Sequence, residues 1–519
     1  MVSTKGRWID HEGSLPTAQG GNLGLRAQHL VESVLSHSFR SQGTPLERTD
    51  CTMRPMNQSV LLASVALVAL SGCKSDKRPL APVSPVVVIG IDGVDPVVLN
   101  GLLAAGRVPS FQRFADDGTL GRLGTFAPTW SPVIWTTIAT GQDAKAHGVN
   151  DFLEADSGKP YTSNTRRVPA IWNLASNAGR TVDCVGWWIT WPAEPVNGRL
   201  VASYAAQAQA KIIWKPTLWK EMEEQTYPSD LAEEIEPFLI LANDAEELRP
   251  KMRKAFPIPD ELDAHRGRLV NDLAWVHAAD LSIAAVTGHM LDSGNADLTM
   301  AYLALPDVVG HRFWRYHAPD DMHYDVTEED QAAFGDYLSL SYIEADRLLG
   351  ELLAKVPDDA TVIILSDHGM HVDPVTMYEE LALTSGAHED AAPGIIGVIG
   401  PYAAKQGNVL DQAHRGDVYQ VAPMLMHLLD LPVPEHWRGA AAGRIPLERI
   451  LAEEWRVAHP LTRSPNTDGE YRAATAPRVP ATGTSEAFKS NFEAIGYLGG
   501  NEQQVKDADA EREAQRETE

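Results

Sequence analysis

The chain has 519 residues and carries 70 acidic against 44 basic side chains, a formal net charge of −26. That balance excludes a nucleic-acid-binding protein, which needs a basic face to meet phosphates. A hydrophobic share of 44% is ordinary for a globular protein, and the three cysteines (Cys51, Cys73, Cys184) match neither a disulfide framework nor a zinc-knuckle spacing.

Residues 1–52 show no sustained period and have balanced charges. From Met53 the pattern changes to a short basic stretch, the apolar run Val60–Leu70, and Leu70-Ser71-Gly72-Cys73. This is the order of a secretory signal, and the run is too short to span a bilayer. The ending resembles a bacterial lipobox, in which Cys73 would become the lipidated first residue. The expectation is translation from Met53 or Met56, with 1–52 as a non-native upstream extension, 53–73 as the signal and 74–84 as a tether. The protein would then sit in the bacterial cell envelope, membrane-anchored through Cys73.

The folded part opens on Val86–Ile91, an unalternating apolar run that predicts a parallel strand covered on both faces, ending at Asp92-Gly93. Helical spacing is expected over Leu99–Asp116. In the segment Phe126–Gly141, Ser131 before Pro132 is placed as an N-cap and Gly141 as a C-cap. A hydroxyl at that helix N-terminus lies where backbone N–H groups and the macrodipole favour an anion, which suits a nucleophile attacking phosphate. Thr129 is a competing hydroxyl, and Asn150 in the following loop is a candidate donor to a phosphate oxygen. Arg180–Trp188 reads as a third strand; Trp187, Trp188 and Trp191 are either pocket wall or core. Cys184, in an apolar run, is expected to be a buried, inert thiol.

Residues 205–295 break the strand–helix rhythm and read as an insertion capping the crevice, with helices near Leu231–Glu236 and Asp244–Lys254. Thr299–Leu305 is a strand followed by Asp307 and His311, whose spacing puts both on one face of a helical turn. Thr361–Leu365 is another buried strand, stopping at Ser366-Asp367-His368-Gly369. His388 precedes the apolar run Ile395–Ile399, and Asp417–Asp430 reads as an amphipathic helix. The enzymatic domain is bounded at 85–450. A C-terminal extension follows over 451–519; Phe488–Tyr497 is expected to dock back and 501–519 to be a disordered tail.

Strands that end in acids and imidazoles predict ligands converging in the crevice beyond a parallel sheet. Asp92, Asp307, His311, Asp367, His368 and His388, with Ser131, form the inventory of a two-metal hydrolase, and mixed nitrogen and oxygen donors suit zinc. G-I-D-G at Gly90–Gly93, the hydroxyl before a helix ending Thr140-Gly141, P-D-x-x-G-H at Pro306–His311, S-D-H-G-M at Ser366–Met370 and the late His388 resemble the alkaline phosphatase superfamily, in its type I phosphodiesterase/nucleotide pyrophosphatase branch. The resemblance implies an α/β fold with a mostly parallel central sheet and helices on both faces. It also implies one Zn2+ on Asp307, His311 and His388 and a second on Asp92, Asp367 and His368, with Ser131 as both ligand and nucleophile. The substrate would be a phosphodiester small molecule or an envelope component. Other readings are a phosphomonoesterase, a phospho-headgroup transferase, or a non-catalytic binding lipoprotein. Departures from the branch are a serine where its nucleotide-cleaving members usually carry threonine, and the shifted position of Asn150. The C-x-P-x-R signature of sulfatases is absent from the sequence.

Overall fold

In a computed structural model of the chain, the described residues are 81–154, 161–203, 224–241, 245–294, 296–388, 390, 392–440 and 447–464. The extension 1–52, the signal ending at Cys73, most of the tether, Phe488–Tyr497 and the 501–519 tail lie outside them.

The main sheet is built from β1 (Val86–Ile91), β2 (Thr119–Leu123), β3 (Val182–Val185), β4 (Gly198–Val201), β5 (Thr226–Tyr227), β6 (Leu298–Leu303) and β7 (Thr361–Leu365). A two-stranded pair, β8 (His371–Val372) and β9 (Gly386–Ala387), precedes the last two sheet strands, β10 (Gly394–Ile399) and β11 (Gly407–Val409). The nine strands run in the order β11-β2-β10-β7-β1-β6-β3-β4-β5. The central strands β7, β1, β6, β3 and β4 are all parallel, while β10 runs antiparallel to both of its neighbours and β5 is an antiparallel edge. Every residue of β1, β6 and β7 is buried, which explains their continuous apolar runs.

Register is what delivers the site. Ile91 pairs with Leu303 and Gly90 with Leu365, so β1, β6 and β7 leave the sheet at the same level. One step further along each chain come Asp92, the helix carrying Asp307, and Ser366-Asp367.

Several elements differ from the sequence expectation. The helix expected over Leu99–Asp116 is two helices, Pro96–Ala104 and Pro109–Asp117. Gly106, with φ of 65°, turns the chain between them, and Pro109 starts the second because a proline in mid-helix would remove a hydrogen bond. The Arg180–Trp188 strand stops at Val185, because Gly186 at φ 71° turns the chain and sends Trp187 and Trp188 into the core. Ala264–Ser293 is not part of a cap. It is a 30-residue crossover helix packed on β3 and β6, mostly buried despite being apolar enough to pass for a membrane span. Its absence from the sequence reading follows from its even burial around the axis, which erases the helical period. The expected amphipathic helix over Asp417–Asp430 is a 3-10 turn followed by Val421–Leu428, all of it buried. Cys184 is a free, buried thiol whose pKa is raised by burial.

Gly394 marks where β10 closes against the site. A Cβ there would sit 2.1 Å from the carbonyl oxygen of Ser366 and 3.0 Å from the amide of His368. Gly394→Ala therefore forces the β7 end outward, and urea unfolding should show a loss of about 1–3 kcal/mol.

Candidate active site

The ligand-bearing ends are tied to one another by buried hydrogen bonds. Ser366 Oγ accepts from the amide of Val94 at 2.9 Å and donates to the carbonyl of His368 at 3.0 Å, joining the β1 and β7 exits. Gly93 lies at φ 69°, and a Cβ there would meet Asp307 Cα at 2.6 Å, so only glycine lets the β1 exit lie against the helix of Asp307. That helix, Leu305–His317, begins on Asp280, whose two carboxylate oxygens each accept a backbone amide at 2.9 Å, from Ala304 and Leu305. Burial raises the Asp280 pKa to about 7, against the pull of those two amides.

The three imidazoles are oriented through their Nδ1 atoms. His311 Nδ1 lies 2.8 Å from the carbonyl of Gly386 and His368 Nδ1 lies 3.0 Å from that of Gly369. A carbonyl only accepts, so each Nδ1 carries the proton. The Thr129 hydroxyl donates to the carbonyl of His388 at 2.5 Å, which leaves its oxygen to accept from His388 Nδ1 at 2.9 Å. Each Nε2 is thereby left facing the carboxylates, the arrangement that outer hydrogen bonds impose on metal-binding histidines.

These nitrogens and the carboxylates form two overlapping groups. Asp307, His311 and His388 make one and Asp92, Asp307 and His368 the other, with ligand atoms all within 4.8 Å in each. His311 Nε2 and His388 Nε2 are 3.0 Å apart, and Asp307 Oδ1 lies 3.5 and 3.7 Å from them. In the second group His368 Nε2 is 3.2 Å from Asp92 Oδ1 and 3.3 Å from Asp367 Oδ2. The family resemblance implied Asp307 for one ion and Asp367 for the other. In the structure Asp307 stands in both tight groups and Asp367 flanks the second, because the Gly93 contact draws Asp307 between them.

Asp92, Asp307, Asp367 and His368 are 0% exposed. Burial would raise the Asp92 pKa, but the close, charged imidazole of His368 outweighs it and holds it low. Burial, then the adjacent Asp92 charge, push Asp367 well above the carboxylate range. Burial opposes charge on His368 too, yet Asp367 and Asp92 lift it to about 10. Burial and the neighbouring His368 and His311 drive His388 far down. These groups are short of positive charge. Asp92 Oδ1, both oxygens of Asp367, His368 Nε2 and Ser131 Oγ are all buried without a hydrogen bond among the described residues, which fits a site for divalent cations.

Ser131 is not the N-cap. The helix Ser131–Thr140 is capped at Trp130 and ends at Gly141 in the left-handed conformation, so Ser131 is its first residue and its hydroxyl caps nothing. Two anchors flank it. Thr129 is bonded to His388, and Trp135, one turn along, donates its indole N–H to Asp92 Oδ2 at 2.9 Å. The serine is thus strapped between a residue of each metal group. Thr129, the rival hydroxyl, is committed to His388. Asn150 is exposed, and its amide makes a long 3.4 Å contact to the carbonyl of Gly148. Trp187, Trp188 and Trp191 are buried core residues. The sequence reading missed Thr129, Trp135 and Tyr302 as partners of the ligands, and nothing in their local spacing signals those roles.

Residues 86–460, which contain all of these side chains, match the family model of type I phosphodiesterase / nucleotide pyrophosphatase. Among solved structures the chain is similar to murine ectonucleotide pyrophosphatase/phosphodiesterase 5, at 13% identity and TM-score 0.41 over 71% of this chain and 100% of that one. It is also similar to a 2-O GAG sulfatase, at 12% identity and TM-score 0.44 over 70% and 73% of the two chains. No curated protein matches the sequence.

The charge deficit sets a pH dependence. His368 has a folded pKa of about 10, above its ordinary 6.5, so the metal-free protein binds more protons folded than unfolded between those values. That contribution is complete below pH 6.5 and lost as pH rises through about 10; the raised Asp367 acts in the same sense. In chelator the melting temperature should fall between pH 7 and pH 9.5, and added Zn2+ should flatten the profile.

Proposed function

From the premise that the chain belongs to the type I phosphodiesterase/nucleotide pyrophosphatase family and is a phosphodiester hydrolase, we propose that it cleaves its substrate through a covalent phosphoseryl intermediate on Ser131. The observation carrying this is the hydroxyl of Ser131, buried, without a hydrogen bond among the described residues, and flanked by Thr129 and Trp135, which bind one member of each ligand group. The family membership sets aside the non-catalytic lipoprotein reading.

The residues suited to hold two divalent ions, zinc by their mixed donors, are Asp307, His311 and His388 for one and Asp92, Asp367 and His368 for the other, with the Asp307 carboxylate adjoining both. Such ions supply positive charge that favours the serine alkoxide and neutralises charge developing on the phosphoryl and leaving oxygens. The chain's own contribution is positional. Ser131 Oγ, at the first position of its helix, gives up its proton and attacks phosphorus in line, expelling an alcohol from a diester or a phosphate from a pyrophosphate, where the N-terminal end of the macrodipole favours the anion. Thr129 holds the His388 ring so that Nε2 faces inward. A water then attacks the same phosphorus, releases the phosphate monoester and restores the hydroxyl. Two in-line displacements return the original configuration at phosphorus. Small phosphodiesters, nucleotide pyrophosphates included, are the substrate class. Lipid attachment at Cys73 in the cell envelope belongs to this proposal and rests on the Val60–Cys73 pattern.

Ser131→Ala should lower turnover of bis-p-nitrophenyl phosphate by about 10³-fold or more while bound metal per chain stays unchanged. Undiminished turnover would put the nucleophile elsewhere, and faster turnover of p-nitrophenyl phosphate than of the diester would favour a monoesterase. For the anchor, Cys73→Ser should move the protein from the membrane fraction to the soluble fraction; a variant that stays with the membranes refutes the lipobox.

A further inference from the structure

We propose that Trp135 and Tyr302 act together as a clasp on Asp92, turning it into a single-oxygen ligand and locking the helix of the nucleophile to it; the inference rests on the reading of Asp92 as a metal ligand and of Ser131 as the nucleophile. Asp92 Oδ2 accepts the indole N–H of Trp135 at 2.9 Å and the hydroxyl of Tyr302 at 2.5 Å. Its other oxygen, Oδ1, has no hydrogen bond among the described residues and lies 3.2 Å from His368 Nε2. The two oxygens of one carboxylate are therefore divided. One is consumed by two neutral donors from different parts of the fold, and the other is left to meet a cation.

The surroundings show that this indole position is built in. Trp135 is 0% exposed and stands edge-on to Trp187 at 5.1 Å and to Tyr302 at 5.0 Å. Trp187 in turn donates its indole N–H to the backbone carbonyl of Trp135 at 3.3 Å. On the sheet side Gly90 makes the space: a Cβ there would lie 2.6 Å from Trp135 Cζ3 and 2.8 Å from Cη2. Gly90 is also the residue of β1 paired with Tyr302 of β6, so the register that opens the slot for the indole also brings in the phenol. The tryptophan cluster, core by burial, thus bears on the chemistry.

The consequence follows from helix geometry. Trp135 is one turn after Ser131, on the same side of a rigid helix. Fastening the indole to Asp92 sets the distance of the serine hydroxyl from that ligand group. An indole N–H only donates and never titrates near neutrality, so the clasp orients without exchanging protons with the site. Trp135 and Tyr302 are positioning residues, acting through Asp92.

The test uses Trp135→Phe, which keeps a ring but loses the N–H, and Tyr302→Phe, which loses only the hydroxyl. Zinc per chain is measured against increasing chelator, beside kcat and KM for a diester. Each variant is expected to release one ion about 10- to 100-fold more readily than the wild type and to keep the other, with kcat falling and KM holding. Both ions held as in the wild type with unchanged kcat, whatever happens to the melting temperature, would overturn the clasp. Should the wild type itself take up no zinc, the metal reading fails and the clasp is judged separately. The indole N–H signal absent from Trp135→Phe must then exchange slowly with solvent in the wild type and faster in Asp92→Ala. Equal exchange in those two proteins would overturn it.

Discussion

Three carboxylates, Asp92, Asp307 and Asp367, are sealed at the carboxyl end of a buried sheet, where their close charged neighbours are the imidazoles of His311, His368 and His388. Burying a charge without compensation is far more expensive than any single packing gain. Much of the surrounding architecture can be understood as the answer to that burial. Three imidazoles turn their Nε2 atoms inward, two neutral donors occupy one oxygen of Asp92, and a proton is drawn onto His368 when nothing else supplies positive charge. The same deficit makes the site a strong attractor for divalent cations. With them in place a protein of net charge −26 can receive an anionic phosphate ester.

Rigidity is distributed to match. Asp92 and Asp367 leave from neighbouring strands held in one register, and Asp307 and His311 ride on a helix whose first amides are pinned by Asp280. The most irregular part is the loop between β8 and β9 that leads to His388, and it is propped from below. Arg315, on the Asp307 helix, donates to the backbone carbonyls of Glu380, Ala382 and Thr384. A buried guanidinium spanning three carbonyls does for a loop what a ladder does for a strand, so the third imidazole is placed as firmly as the first two.

The pyramid of supports around Ser131 follows the same logic. The helix that starts there carries no polar cap, so its first hydroxyl is available rather than spent on its own backbone. Its attachments are made by its neighbours in sequence, Thr129 before it and Trp135 after it, each reaching a different ligand group. A hydroxyl held in this way gains orientation without losing its lone pairs.

What the sequence determined by itself were the features with a local physical signature. Continuous apolar runs, one stopping at Asp92-Gly93 and the other at Ser366-Asp367-His368, located β1 and β7 to the residue. The spacing of Asp307 and His311 put both on one helical face, and the glycine of Gly141 ended the helix that begins at Ser131. Only the tertiary structure decided the rest. Asp307 is placed between the two ligand groups by Gly93, and Thr129 is an orienting hydroxyl because His388 arrives from 259 positions away. The 30-residue crossover helix is buried on nearly all sides and so has no period to read. The clasp on Asp92 depends on the pairing of β1 with β6, 210 residues apart at Asp92 and Tyr302. Local pattern encodes where a chain turns and which face is apolar; which side chains share an oxygen is settled by strand register and close packing.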